Sequence, residues 1–142
     1  MRISYTGVSA DGSRVFCDTT EKLSAEDTDG SASDVYQRAG TAGDDVIVGR
    51  GGKDTIKGLG GNDVLCGSGG NDTIRGGGGN DMILAGLGND TARGDGDADS
   101  VKGQGGKDRL AGGPSAGDSC DGGPGMDALL PNAGCETVVG VP

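Results

Sequence analysis

An aspartate recurs at every ninth position through the middle of this chain, eight times in succession. Two positions after each aspartate comes an apolar residue, and a glycine-rich cluster precedes it. A fixed short period of this kind predicts a repeat fold in which each unit stacks on the next. The aspartates are Asp45, Asp54, Asp63, Asp72, Asp81, Asp90, Asp99 and Asp108, and the apolar residues are Ile47, Ile56, Leu65, Ile74, Ile83, Ala92, Val101 and Leu110.

The period slips by one residue in the stretch 112–118 and then resumes from Asp118 to Asp127. Cys120 and Leu129 occupy the apolar position of these two later units. The segment between an aspartate and the next glycine cluster is too short for a helix and fits a minimal strand, whereas the glycine cluster fits a turn. Two units then make one coil of strand, turn, strand and turn. We therefore predict an all-β parallel β-roll, a right-handed β-solenoid with aliphatic side chains between two sheets.

Stacking such coils places aspartates 18 positions apart at neighbouring levels, about 4.8 Å from one another. Bare carboxylates at that distance repel by roughly 1 kcal/mol even in water. Paired carboxylates and carbonyl oxygens of the glycine turns form an oxygen-rich site that suits Ca²⁺ better than Mg²⁺. We predict roughly six Ca²⁺ ions, with carboxylate ligands from the eight aspartates and from Asp118 and Asp127, and carbonyl ligands from Gly52, Gly61, Gly70, Gly79, Gly88 and Gly106.

The composition supports a fold that depends on a cation. The chain has 33 glycines and only three aromatic residues among 142. It therefore has little apolar surface whose burial could offset the conformational entropy lost on folding. The sequence therefore predicts a chain that folds when calcium binds. A net charge of −10 argues against nucleic acid and anionic membranes as partners, and no apolar run is long enough for a membrane span.

No enzyme constellation is present in the sequence. The chain has no histidine, which removes Ser-His and Cys-His nucleophile pairs, and the repeat accounts for the positions of the aspartates. We therefore expect a binding module and not an enzyme. Cys120 and Cys135 bracket a short loop, and either a disulfide between them or two free thiols is compatible with the spacing. No signal peptide is evident in residues 1–20, so we expect a piece of a longer secreted protein or another export route.

Residues 40–130 resemble the RTX, or haemolysin-type, calcium-binding nonapeptide repeats, as in Gly67-Ser68-Gly69-Gly70-Asn71-Asp72-Thr73-Ile74-Arg75. The resemblance implies a calcium-binding β-roll in a secreted, extracellular protein, with the sixth-position aspartate and preceding carbonyls as ligands. Ala85 departs from the pattern, because it replaces the first glycine of the Asp90 unit. Residues 8–38 resemble a TolB-like propeller repeat.

These observations divide the chain into an N-terminal β-hairpin or partial propeller-like repeat (1–39), the β-roll (40–130) and a C-terminal cap or tail (131–142). The predicted function is calcium-dependent folding and stabilisation of a secreted protein. Two alternatives remain open at this level. One is an adhesion or interaction module that uses the roll as a scaffold for a protein or cell-surface partner, and the other is the C-terminal fragment of a larger secreted enzyme or toxin.

Overall fold

A computed structural model describes residues 36–141 of the chain, and their side chains from Ala39 onward. The predicted N-terminal β-hairpin and the propeller-like stretch lie outside the described residues, apart from their last few positions. The described part contains no helix, and hence none with the length and hydropathy of a membrane-spanning segment.

Twelve short strands make up the described part of the chain. The odd-numbered strands form one six-stranded sheet, the first sheet, in the order β1-β3-β5-β7-β9-β11. The even-numbered strands form the second sheet, in the order β12-β10-β8-β6-β4-β2. The strands are β1 (Tyr36–Ala39), β2 (Val46–Gly51), β3 (Asp54–Gly60), β4 (Val64–Gly69), β5 (Thr73–Gly78), β6 (Met82–Gly88), β7 (Thr91–Gly96), β8 (Ser100–Gly106), β9 (Arg109–Ala111), β10 (Ser119–Asp121), β11 (Ala128–Leu129) and β12 (Thr137–Val139).

Every strand pairs in parallel with the strand two places along the chain. Ile56 aligns with Ile74 in the first sheet, and Leu65 aligns with Ile83 in the second, so equivalent positions are 18 residues apart. Two nine-residue units therefore make one coil, because consecutive strands belong to opposite sheets. The predicted all-β parallel β-roll is confirmed.

The slip in the repeat is absorbed within one turn. Ser115 accepts a hydrogen bond from the backbone N–H of Asp97, 18 residues earlier, whereas Gly117 lies against Ala98, 19 residues earlier. The extra residue is thus Ala116, which is exposed on the turn. Beyond it, β10 and β11 pair with β8 and β9 at a spacing of 19, so the sheets continue without interruption.

The core is a row of aliphatic side chains between the two sheets. Its fully buried members include Ile56, Leu65, Ile74 and Ile83, and the row continues through Ala92, Val101, Leu110 and Cys120. The residues predicted at its two ends are less covered, because within residues 36–141 no further coil lies against them. Ile47 is only partly buried, and Leu129 retains 38% of its exposure.

The C-terminal part of the roll carries a disulfide between Cys120 and Cys135, which resolves the alternative left open by the sequence. Cys120 occupies the core position of β10, and Cys135 packs against the core from the following segment. Next to it, β12 pairs with β10 at the 18-residue spacing. Residues predicted as a cap or tail thus add a strand to the second sheet.

Candidate metal centre

The repeat aspartates stack into two columns, one along each row of turns. The first column contains Asp45, Asp63, Asp81, Asp99 and Asp118, and the second contains Asp54, Asp72, Asp90, Asp108 and Asp127. Within a column, the Oδ1 atom of every carboxylate after the first accepts a hydrogen bond from the backbone N–H of the preceding member. The bond from Asp54 to Asp72 is 2.8 Å long, and that from Asp72 to Asp90 is 2.7 Å. Eight such bonds connect the coils.

The second carboxylate oxygen, Oδ2, is buried and has no hydrogen-bond partner in eight of these residues, which are Asp63, Asp72, Asp81, Asp90, Asp99, Asp108, Asp118 and Asp127. Each of these side chains is almost fully buried. A buried polar atom without a partner costs free energy, and a buried charge costs more unless a counter-charge is close by. The repetition of this feature in every coil shows that it is a property of the repeat unit.

A carbonyl oxygen of the next coil lies near at least five of these Oδ2 atoms, those of Asp63, Asp72, Asp81, Asp108 and Asp127. A Cβ atom built on Gly122 would lie 2.6 Å from Oδ2 of Asp127 and 2.8 Å from the carbonyl oxygen of Gly140. The same three groups recur around Gly103, where a Cβ atom would meet Asp108 and the carbonyl oxygen of Gly122. Two acceptor oxygens thus lie near one point without a donor between them. A cation, which both oxygens could bind, fits that arrangement.

The first-position glycines that contribute these carbonyls were not singled out in the sequence. Their signal was nevertheless present, because a glycine stands five residues before most of the repeat aspartates, as Gly67 does before Asp72. Ala85 breaks this series, and it is fully buried. Its carbonyl oxygen still lies beside Gly67 and Asp72, as the glycine carbonyls do in other coils.

The six glycines predicted as carbonyl ligands occupy a different place. Gly52, Gly61, Gly70, Gly79, Gly88 and Gly106 all adopt a positive φ, between 100° and 136°. They stack on one another so closely that a Cβ atom on Gly70 would overlap the carbonyl oxygen of Gly52. In this structure their clearest role is to let successive turns approach. Their role as ligands stays a prediction.

Asp45 differs from the other members of its column. It is half-buried, and its Oδ2 atom accepts hydrogen bonds from the backbone N–H and the hydroxyl of Thr41, at 2.6 Å and 3.0 Å. The predicted ligand set is therefore brought together in two continuous columns, but its first member has local partners. No group of three or more His, Cys, Asp or Glu side chains converges within residues 36–141. A cation there would need main-chain carbonyls in addition to carboxylates.

Burial changes the acidity of the columns. It raises the pKa of Asp81 and of Asp90 to about 6 and that of Asp99 to about 7, although the backbone N–H bonded to each carboxylate partly opposes the shift. The repulsion between neighbouring carboxylates of the same column also contributes to these raised pKa values. The pKa values of Asp63, Asp72 and Asp108 are also raised, chiefly by burial. In the folded roll without a cation, protonation of some of these carboxylates is therefore favoured.

Acidification is expected to stabilise the calcium-free roll. An unfolded aspartate has a pKa of about 3.9, so between about pH 4 and pH 7 the folded state binds more protons than the unfolded state. The free energy of unfolding then falls as the pH rises through this window, whereas calcium affinity rises because the ligands must be deprotonated. Far-UV circular dichroism in calcium-free buffer at pH 4.5 and 7.5 measures the effect as a larger share of β-structure at the lower pH. A share of β-structure that increased with pH would contradict it.

The family comparison identifies the repeat independently of this geometry. The model of the RTX calcium-binding nonapeptide repeat (4 copies) matches residues 39–74, 58–92 and 84–116, which together span more than half of the chain. A comparison with curated proteins found no significant match, and neither did a comparison with solved structures. The parallel β-solenoid, the stacked aspartates and the family match agree, and calcium binding is what such repeats imply. The chain belongs to the family of RTX calcium-binding nonapeptide-repeat proteins.

Proposed function

We propose that this chain is a calcium-dependent folding module of a secreted protein. The observation that supports this most directly is the set of eight buried Oδ2 atoms without a hydrogen-bond partner. Five of them lie near a carbonyl oxygen of the adjoining coil, as beside Gly58, Gly76 and Gly122. The carboxylates of the two columns, together with first-position carbonyls, would hold roughly six to eight Ca²⁺ ions. Bound calcium would supply the positive charge that the buried carboxylates lack.

Folding and calcium binding are coupled in this proposal because the site exists only when coils are stacked. Aspartates that lie side by side in a column are 18 or 19 residues apart in the chain, so the unfolded chain does not hold them together. A ligand that binds only the folded state stabilises it by a free energy that grows with the logarithm of its concentration above the dissociation constant. The raised pKa values of Asp81 and Asp99 support the same conclusion, since burial penalises the charged columns when calcium is absent.

The coupling also suggests where the module works. Extracellular calcium modules bind with dissociation constants of about 10⁻⁴–10⁻³ M, far above the free calcium concentration inside cells. We therefore propose an extracellular module that stays unfolded before export and folds outside. We also propose a binding and stabilising role without catalysis, because the chain has no histidine and the columns account for the repeat aspartates.

Calcium titration of the full-length chain tests the proposal. Binding measured by isothermal titration calorimetry and β-structure measured by far-UV circular dichroism should share one midpoint, and chelation should reverse both. Mg²⁺ at the same concentration should produce neither change, because it requires stricter octahedral geometry. The proposal would be overturned by the absence of binding at millimolar Ca²⁺, or by a β-spectrum that is the same before and after calcium is added.

A further inference from the structure

One row of side chains on the second sheet is unusually apolar. Pairing of the strands aligns Val48, Cys66, Leu84, Lys102 and Asp121 in that order. Each follows a residue of the core row, and successive residues in a strand point to opposite faces. The row therefore lies on the outer face of the sheet, as the exposure of Lys102 demonstrates.

Val48 and Cys66 are nevertheless buried. Val48 retains 9% of its exposure and Cys66 retains none, and neither belongs to the core cluster. By contrast, Val46 lies on the same face of the same strand and is 57% exposed. The equivalent row of the first sheet is exposed at Lys57, Arg75 and Arg93, although Ala111 at its C-terminal end is buried. On the second sheet the burial is thus confined to the end of the outer face that β2 and β4 form, and it requires a cover there.

Cysteine chemistry suggests which part of the chain supplies that cover. None of the cysteines in the described residues is a free thiol, and Cys120 is bonded to Cys135. The chain has four cysteines, so Cys17 is the one that is left for Cys66. Cys17 follows Val15 and Phe16, which are apolar residues suited to an apolar surface.

We propose that the outer face around Val48 and Cys66 is the docking surface of residues 1–35 of this chain, fastened by a disulfide between Cys17 and Cys66. Chain length permits it. The 19 residues from Cys17 to Tyr36 reach up to about 60 Å when extended, whereas six strands at about 4.8 Å spacing span about 24 Å. The N-terminal segment would then shield the apolar rows of β2 and β4 from solvent and attach the first coils covalently.

Formation of this bond is an oxidation. The thiols of Cys17 and Cys66 lose two electrons and two protons to a small-molecule disulfide, which is reduced to two thiols, and one S–S bond forms between the cysteines. Such oxidants are available outside the cell. The pairing does not itself depend on calcium chemistry, so it can be tested separately from the proposed function.

Peptide mapping of the full-length chain tests the bond. After blocking of free thiols, trypsin places Cys17 in residues 15–22, Cys66 in residues 58–75, and both Cys120 and Cys135 in residues 110–142. Mass spectrometry without reduction should detect the first two peptides joined and the third closed on itself. Blocked thiols at Cys17 and Cys66 would overturn the proposal. A disulfide-linked dimer through Cys66 would also overturn it, and would assign the face to a contact between copies.

A matched pair of variants tests the docking surface. In saturating calcium, Val48→Asp should increase the rate of tryptic cleavage after Lys22 by about tenfold, because a charge replaces a buried methyl surface under the segment. Val46→Asp introduces the same charge at an exposed position of the same strand and should leave that rate close to the unmodified chain. Equal cleavage rates in the two variants would contradict the docking surface even if the disulfide were present.

Discussion

Gly70→Ala is expected to destabilise the roll by at least about 3 kcal/mol, enough to unfold much of it at moderate calcium concentrations. Gly70 adopts a φ of 126°, which alanine rarely accepts. A Cβ atom there would also overlap the carbonyl oxygen of Gly52 in the preceding coil. Neither problem can be relieved without separating the two coils, and their separation would disrupt the pairing of Gly51 with Gly69 between β2 and β4.

Gly78→Ala is the matched control. Gly78 is the last residue of β5, its φ is outside the positive region, and a Cβ atom built on it has no neighbour within 4 Å. The same substitution there should change stability by no more than about 1 kcal/mol, with a small gain because alanine restricts the unfolded chain. Denaturant unfolding at fixed calcium concentration measures both variants. If Gly70→Ala were as stable as Gly78→Ala, the close stacking of turns would be wrong.

Asp72→Ala is expected to remove about two bound calcium ions, because Asp72 lies between Asp54 and Asp90 in the second column. At a calcium concentration tenfold above the dissociation constant, each lost site lowers stability by about 1.4 kcal/mol. Loss of the hydrogen bond from Asp54 N–H costs about 1 kcal/mol more. Calorimetric stoichiometry and the calcium concentration required for folding report the two effects.

Two further variants separate the causes. Asp45→Ala should remove at most one ion, since Asp45 begins its column and its Oδ2 atom already accepts hydrogen bonds from Thr41. Asp72→Asn retains an oxygen that can accept the hydrogen bond of Asp54 N–H but lacks the charge. It should therefore resemble Asp72→Ala in ion count and exceed it in stability. Equal ion losses in Asp45→Ala and Asp72→Ala would contradict the stacking of ligands between coils.

Much of this fold follows from the period of the sequence. The nine-residue spacing predicted the pairing of Ile56 with Ile74 and the alignment of Asp54 with Asp72, because a coil of fixed length leaves no other register. It did not predict that Ser115 and Gly117 would stack at different spacings around Ala116. The sequence shows that one residue is added, but a turn can accommodate it at several positions. Only the packing against the previous turn determines which position that is.

The composition of the site was less predictable than the register. The repeat identified the carboxylates, but the carbonyl oxygens come from glycines whose direction depends on turn geometry, as Gly67 does beside Gly49 and Asp54. The covered position of Val48 was also beyond prediction. Its place in the repeat is that of Lys57 and Arg75, and only the fold reveals that Val48 is buried where those two residues are exposed.

The hydrogen bonds within the columns all have the same direction, and this gives the roll two chemically distinct ends. Each coil offers backbone N–H groups, and the coil that follows supplies the accepting carboxylates, as Asp63 does for Asp45. At the C-terminal end, the carboxylate of Glu136 accepts a hydrogen bond from the backbone N–H of Gly117 in the same direction. Within the buried columns, a deletion from the C-terminal side would remove acceptors from N–H groups that remain, whereas a deletion from the N-terminal side would leave acceptors behind. The exposed bonds of the turns, such as that from Asn80 N–H to Asn62, run in the other direction. Truncations of equal length at the two ends are therefore not equivalent.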